Sequence, residues 1–364
     1  MTVIIFLIIL AVLVFVHELG HFLVAKISGI RVDEFSIGFP PRLFKKKIGE
    51  TLYSLNLIPF GGYVKIFGEN PDEESMVGSD SSRSFVNKPK KIQVAVLVAG
   101  VIGNLLFAWL LIVGGYMFGL PTSVSPENEA RIRNAHVVVT TVAPNTPAEL
   151  VGIKLGDSIV SVASPTETLS SGNVTPESVQ QFICSHGEEE LTVSVLRKGE
   201  TMTFQATPQA GIVADCRVLG IVMDYVGILR LPPHLALVQG TIATAHLAGA
   251  TVQGLYLFLA SIFQGTADFS AVSGPVGIAG MVGDAQSLGF SYLIFFTALI
   301  SINLAVINLV PFPALDGGRI LFVLIEAVLR RSLNPRVANM VNAAGFLLLM
   351  ALLVILTYRD ILKL

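Results

Sequence analysis

The stretch TVIIFLIILAVLVFVHELGH (residues 2–21) decides how this chain is read. Its first part, residues 2–16, is uncharged and apolar, and it runs directly into His17-Glu18-Leu19-Gly20-His21. A removable signal peptide would need a basic leader and a small-residue cleavage site, and neither is present, so the run is expected to stay as a helix. Continued as a helix, it puts two imidazoles at i and i+4 on one face with a carboxylate beside the first. Helices use that arrangement to bind zinc and to supply a general base. A charged residue deep in a membrane helix costs about 2.5 to 3.5 kcal/mol, so Glu18 at this depth marks a site.

Composition supports a lipid setting. The 364 residues are 52% hydrophobic and 14% charged, with a mean hydropathy of +0.71, whereas soluble domains carry about 25% charge. Further uncharged windows lie at 92–120, 235–267, 285–315 and 337–357, each compared with the roughly 20 residues that cross a bilayer. The net charge of −2 leaves no basic footprint, so nucleic acid is not an expected partner. Two cysteines, Cys184 and Cys216, exclude a thiolate zinc cage and allow at most one disulfide.

Basic residues set the orientation. Lys26, Arg31, Arg42, Lys45, Lys46, Lys47, Lys65, Arg83, Lys88, Lys90 and Lys91 crowd the stretch between the first two windows, and none precedes the first, which places that stretch in the cytoplasm. The window 235–267 is interrupted by Gln239, Thr241, Thr244, His246, Thr251, Gln253, Gln264 and four glycines. Reading it as lying along the membrane leaves Arg319, Arg330, Arg331 and Arg336 inside, as the rule prefers. The expected fold class is a polytopic α-helical membrane protein with four transmembrane helices, a membrane-associated β-hairpin region and an inserted extracytoplasmic β-rich domain, with both termini extracytoplasmic. The expected domains are 1–27, 92–120, 285–318 and 337–358 as spans, 28–91 as the cytoplasmic β region, 121–230 as the inserted domain and 231–284 as an interfacial segment.

Strand-like alternation recurs at 137–142, 159–162, 191–196 and 203–207, with a helical stretch at 176–183. In the cytoplasmic stretch it recurs at 35–39, 51–57 and 63–67, around Pro40-Pro41, Pro59 and Gly61-Gly62. The edge of that region is suited to pair with an extended peptide, and a hairpin with no substrate role is the plain alternative. Polar segments 69–84 and 164–175 read as surface loops. Catalytic zinc takes three protein ligands, and Asp316 is a candidate third. It follows Asn308-Leu309-Val310-Pro311-Phe312-Pro313-Ala314-Leu315 where prolines and glycines stop the fourth window, leaving a carboxylate at its inner end at a depth comparable with His17 and His21.

Several ordered motifs then coincide: His17 to His21, Ile58-Pro59-Phe60-Gly61-Gly62-Tyr63-Val64, Ser273-Gly274-Pro275-Val276-Gly277-Ile278-Ala279, and Asn308 through Gly318. Together they make nearly the whole chain resemble the site-2 protease family of intramembrane zinc metalloproteases, of the bacterial regulator-of-sigma-E type. The resemblance implies Zn2+ held by His17, His21 and Asp316, Glu18 as base, and substrate contacts at Asn308, Pro311, Gly61 and Gly62 on a membrane-reentrant hairpin. For Asn308 a helix-to-helix hydrogen bond is the alternative. It further implies an endopeptidase of the bacterial inner membrane, acting as a monomer on single-pass membrane proteins such as anti-sigma factors or signal-peptide remnants. The segments 142–149 and 152–157 resemble the start of a circularly permuted PDZ domain, whose groove would lie at Leu219, Gly220 and Ile221 beside the helix at 176–183. Some relatives carry two such domains, and this chain has room for one. A Cys184–Cys216 disulfide is allowed there, and a free pair remains open. A zinc-binding scaffold without hydrolysis and a metal transporter are the rival functions. The retained Glu18 argues against the first, and the clustering of ionisable residues at one depth argues against the second.

Overall fold

The computed structural model describes all residues except 1, 71–72, 127, 171, 198, 214–215, 267–268, 270–271, 332 and 363–364. The opening apolar run forms α1 (Thr2–Ile27), which continues unbroken through His17 and His21. It ends where Gly29 takes φ +67 and the Ile30 amide returns to the Ala25 carbonyl, a glycine-based helix stop. Two long strands follow, β1 (Val32–Ile48) and β2 (Thr51–Ile66), then the short α2 (Glu73–Val77) and the apolar α3 (Lys90–Phe118). Next come β3 (Leu120–Ser123), β4 (Ile132–Val142), α4 (Pro147–Leu150), β5 (Ser158–Ala163), β6 (Thr168–Leu169), α5 (Pro176–Ser185), β7 (Leu191–Arg197), β8 (Glu200–Ala206), β9 (Gln209–Val213), β10 (Cys216–Val218) and β11 (Ile221–Leu229). The chain closes with α6 (Pro233–Gln264), α7 (Pro275–Leu288), α8 (Phe290–Asn308), α9 (Asp316–Leu329) and α10 (Pro335–Leu362).

These elements divide into two compact units. The first comprises Met1–Val113, Leu237–Gly283 and Phe296–Leu364. In it the three strand-like runs at 35–39, 51–57 and 63–67 prove to be two strands, each folded back on itself. Phe35 of β1 pairs with both Val64 and Tyr53 of β2, while Lys45, Lys46 and Ile48 pair with Ser54, Tyr53 and Thr51. Residues 34–37 therefore lie between the two arms of β2, and residues 62–66 form one edge of the sheet. Phe15 and Phe22 of α1 meet Phe35 edge-on at 5.7 and 5.2 Å, so the sheet packs on the catalytic-motif helix through aromatic contacts.

The second unit comprises Gly114–Ala236 and Asp284–Phe295, so it takes in a short stretch beyond the expected 121–230. Its sheet runs β3-β11-β4-β5-β7-β8, with β6 on β5. The alternating runs become β4, β5, β7 and β8, whose inward residues Val137, Val139, Ile159, Val162, Leu191, Val193 and Val195 are buried. Buried Asp157 is paired with Arg197 at 2.6 Å. Cys184 and Cys216 form a disulfide with their Cα atoms 5.2 Å apart.

Several expectations need correction. The segment 69–84, read as a loop, contains α2. The window taken as one span at 285–318 is interrupted twice: Gly289 at φ +120 separates α7 from α8, and Pro311 and Pro313 lack the amide hydrogens a continuing helix needs. Asp316 accordingly opens α9 and does not end α8. The stretch 235–267, for all its polar residues and glycines, is a single helix to Gln264, with Gly265 at φ +72 beyond it; Ala267 lies outside the described residues. By length and composition α6 joins α1, α3, α8 and α10 as one of 5 helices among the described residues able to cross a membrane.

The turn of the hairpin is tied to α1. Glu50 takes Arg83 at 2.6 Å and Lys26 at 2.7 Å, and those hydrogen bonds hold its carboxyl down at about 2. The folded value lies below the ordinary unfolded value of about 4.3, so this contribution is present above about pH 4.3 and is lost as pH falls towards about 2. Glu50→Gln is expected to lower thermal stability near neutral pH and to flatten its decline across that acid window. Melting the detergent-solubilised protein at a series of pH values checks this; an acid limb as steep as in the unsubstituted protein would contradict it.

Candidate metal centre

The site begins with the close approach of α1 to α3. A Cβ on Gly20 would meet the Ala99 carbonyl, and one on Gly103 would come within 2.9 Å of the Val16 carbonyl oxygen. Glycine at both positions lets the two backbones touch, as small residues do between membrane helices. The contact turns His17 and His21 towards α3, where both are buried. His21 Nδ1 lies 2.8 Å from the Val96 carbonyl oxygen, and the two rings meet edge-to-face at 4.8 Å.

The third group arrives from the far end of the sequence. After α8 the chain reverses through Leu309 to Leu315, with Ala314 at φ 74, and restarts as α9 at Asp316. Gly317 and Gly318 are buried against the carbonyls of Leu309, Val310 and Phe312, with no room for a Cβ at either position. α10 backs the reversal: Asn342 Oδ1 accepts from the Ala314 amide at 3.3 Å, and Gly345 packs on Pro313. The first turn of α9 is also a favourable place for a carboxylate.

The outcome is a tight cluster. Asp316 Oδ2 stands 3.0 Å from His17 Nε2 and 3.3 Å from His21 Nε2, and the two Nε2 atoms are 3.2 Å apart. With the Val96 carbonyl holding the proton on Nδ1 of His21, its Nε2 presents a lone pair. Asp316 Oδ2 is buried and receives no hydrogen bond among the described residues. Acceptor atoms facing one another in a buried space are suited to a cation, and two imidazoles with one carboxylate are the donor set zinc takes.

Glu18 stands beside this cluster. Its Oε2 accepts from the Val64 amide at 3.0 Å, from the sheet edge at residues 62–66. Gly62 lies against it, since a Cβ there would stand 3.7 Å from Glu18 Cγ and 2.6 Å from the Ser36 carbonyl oxygen. Gly61, at φ +116, turns beside Phe39. Asn308 closes α8, and Pro311 stands exposed in the connection that follows; Asn308 makes no hydrogen bond to the cluster among the described residues. In the second unit Ile221 opens β11 and Gly220 turns at φ +85. Leu219 is 1% exposed and belongs to the core of this unit.

Sequence reasoning missed Gly100, Asn104 and Arg319. Gly100 faces both imidazoles, Asn104 contacts His17, and Arg319, one turn after Asp316, pairs with Glu69. An Asn within the uncharged window 92–120 was the available signal for the second of these.

With that geometry in place, comparison with known proteins gives a consistent answer. The profile described as Peptidase family M50 matches residues 5–352. The chain belongs to peptidase family M50, the site-2 protease family. It is 34% identical over 352 residues to a Clostridium perfringens protein named “Putative zinc metalloprotease”, covering 96% of this chain and 95% of that one. Zinc metalloprotease RasP of Geobacillus kaustophilus is 29% identical over 437 residues, covering 100% and 98%. A similar protein of Synechocystis is 35% identical over 363 residues, covering 98% and 93%. This M50 protein is thus a zinc-dependent metalloprotease, and its apolar helices are those of a multi-pass membrane protein.

The packing of Gly100 yields a direct expectation. A Cβ there would stand 2.7 Å from His21 Cε1 and 2.8 Å from His17 Cε1. Gly100→Ala should displace the rings and lower bound zinc well below one per chain, while helix content by circular dichroism stays unchanged. Full zinc occupancy in that variant would contradict the packing described.

Proposed function

We propose that this M50 protein is an intramembrane endopeptidase that cuts the transmembrane segments of single-pass membrane proteins, with anti-sigma factors and signal-peptide remnants as substrate classes. The observation that carries this reading is Glu18, held by the Val64 amide at 3.0 Å and adjacent in sequence to His17 of the His17–His21–Asp316 cluster, inside an apolar helix. His17, His21 and Asp316 would hold zinc. When bound, the metal supplies Lewis acidity for the scissile carbonyl and for water. Glu18 takes a proton from the attacking water at Oε1, the oxygen that Val64 leaves free, and hands it to the leaving amine.

A substrate helix conceals its peptide bonds in its own hydrogen bonds, so it must be drawn out locally before attack. The edge at residues 62–66 can accept it as an added strand, with Gly61 and Gly62 letting the two backbones come close. Asn308 and Pro311 are assigned to substrate contact on the connection that leads to Asp316. The second unit is assigned as a single PDZ domain on the extracytoplasmic side of a bacterial inner membrane. In this reading it limits which substrates reach Glu18, with Gly220 and Ile221 at its groove. The protein is assigned as a monomer.

Glu18→Gln is expected to abolish cleavage of a tagged single-span substrate while zinc stays bound, because both imidazoles remain. Asp316→Asn should instead weaken zinc binding, since a neutral amide is the poorer ligand. Metal content by mass spectrometry beside a cleavage assay separates the two; normal turnover in the Gln variant would remove Glu18 from the chemistry.

Four spans remain the proposed topology, with α6 along the membrane, because this arrangement keeps Arg319, Arg330, Arg331 and Arg336 in the cytoplasm. Single cysteines placed at Arg230 and at Asp268, which lies outside the described residues, should then label from the same outer side. Labelling from opposite sides would make α6 a fifth span.

A further inference from the structure

Asn104 stands midway along the apolar α3 and is 0% exposed. Its carboxamide meets His17 Nδ1 at 3.3 Å through the atom placed as Nδ2, while Oδ1 is buried and meets no donor among the described residues. The oxygen and nitrogen of an amide are exchanged by a half-turn of the side chain, and the hydrogen-bond network must choose between the two placements. With Nδ2 towards His17, Oδ1 is left without a partner among the described residues, so the rest of the protein gives no reason for that placement. The imidazole therefore decides. If Nδ2 donates to Nδ1, the ring proton must sit on Nε2, which is the atom 3.0 Å from Asp316 Oδ2. If Oδ1 accepts from Nδ1–H, Nε2 carries a lone pair aimed at the cluster.

His21 already has the second arrangement, because the Val96 carbonyl at 2.8 Å can only accept. We propose that Asn104 is the equivalent positioning residue for His17: its carboxamide oxygen accepts from Nδ1–H, fixing the tautomer and the ring direction that let Nε2 bind zinc. The inference rests on the reading of His17 as a zinc ligand. α3 is held in place at this residue, since Ser301 Oγ on α8 donates to the Asn104 backbone carbonyl at 2.8 Å. The carboxamide that meets His17 is thus carried by a backbone that Ser301 fixes at the same residue. Partners that orient a metal-binding imidazole in this way typically contribute about 10- to 100-fold in metal affinity.

The test is zinc affinity of the full chain in detergent, measured by chelator competition, together with the visible spectrum of the Co2+-substituted protein. Asn104→Asp keeps the acceptor and removes the donor, and it should bind zinc within about threefold of the unsubstituted protein with the Co2+ bands retained. Asn104→Leu keeps the bulk and removes the acceptor, and it should weaken zinc about 10- to 100-fold and alter the bands while helix content stays unchanged. Loss of affinity in the Asp variant equal to that in the Leu variant would overturn the proposal, as would unchanged affinity in the Leu variant. His17→Ala separates the two readings: if it binds zinc normally, the ligand assignment fails. If it loses zinc while both Asn104 variants bind normally, only the positioning role fails.

Discussion

Everything at the metal centre depends on how closely α1 can approach α3. Gly20 against Ala99, Gly103 against Val16 and Gly100 against the two imidazoles remove the side chains that would hold these helices apart. Between lipid-exposed helices apolar burial gives little drive to associate, so van der Waals contact and the few internal hydrogen bonds carry the packing. His21 to Val96, His17 to Asn104 and Ser301 to Asn104 are such bonds. They also point the ring nitrogens inward, so the packing that joins the helices orients the ligands.

The second requirement is delivery of a carboxylate to the same point. An aspartate within a long apolar helix would carry its charge into lipid. Here the chain breaks at Pro311 and Pro313 and restarts at Asp316, so the carboxylate sits at a helix start with Asn342 of α10 bonded to the connection. Gly317 and Gly318 pack on the carbonyls of Leu309, Val310 and Phe312, so this irregular stretch is braced by the start of α9. The hairpin completes the arrangement, since its doubled sheet packs on Phe15 and Phe22 and brings the Val64 amide to Glu18. One sheet edge thus stands next to Glu18.

The second unit obeys the rules of a soluble domain. Its strands β4, β5 and β7 bury valines, isoleucine and leucine in one core, its buried Asp157 is paired with Arg197, and its disulfide joins α5 to β10. A buried carboxylate with its guanidinium partner is strongly destabilised by loss of either member, which makes this pair a constraint on the unit's own fold. Leu219 belongs to that core, and Gly220 beside it turns at φ +85.

The sequence alone determined the helix that carries His17, Glu18 and His21, because an i, i+4 spacing has one geometric consequence on an α-helix. It also determined the apolar segments and the alternating strands β4, β5, β7 and β8, since each is a local period of hydrophobicity. It singled out Asp316 by composition, yet placed it at the end of one helix when it begins another. Tertiary structure decided what local periods cannot carry: that β1 and β2 each fold back so that Phe35 pairs twice, that α6 is continuous despite its glycines, that Leu219 faces a core, and that Asn104 reaches His17. Each is a contact between residues far apart in the chain, fixed by which surfaces can approach most closely. Spacing along a single helix cannot specify that approach, whereas the glycines of α1 and α3 become decisive only when the two helices are brought together.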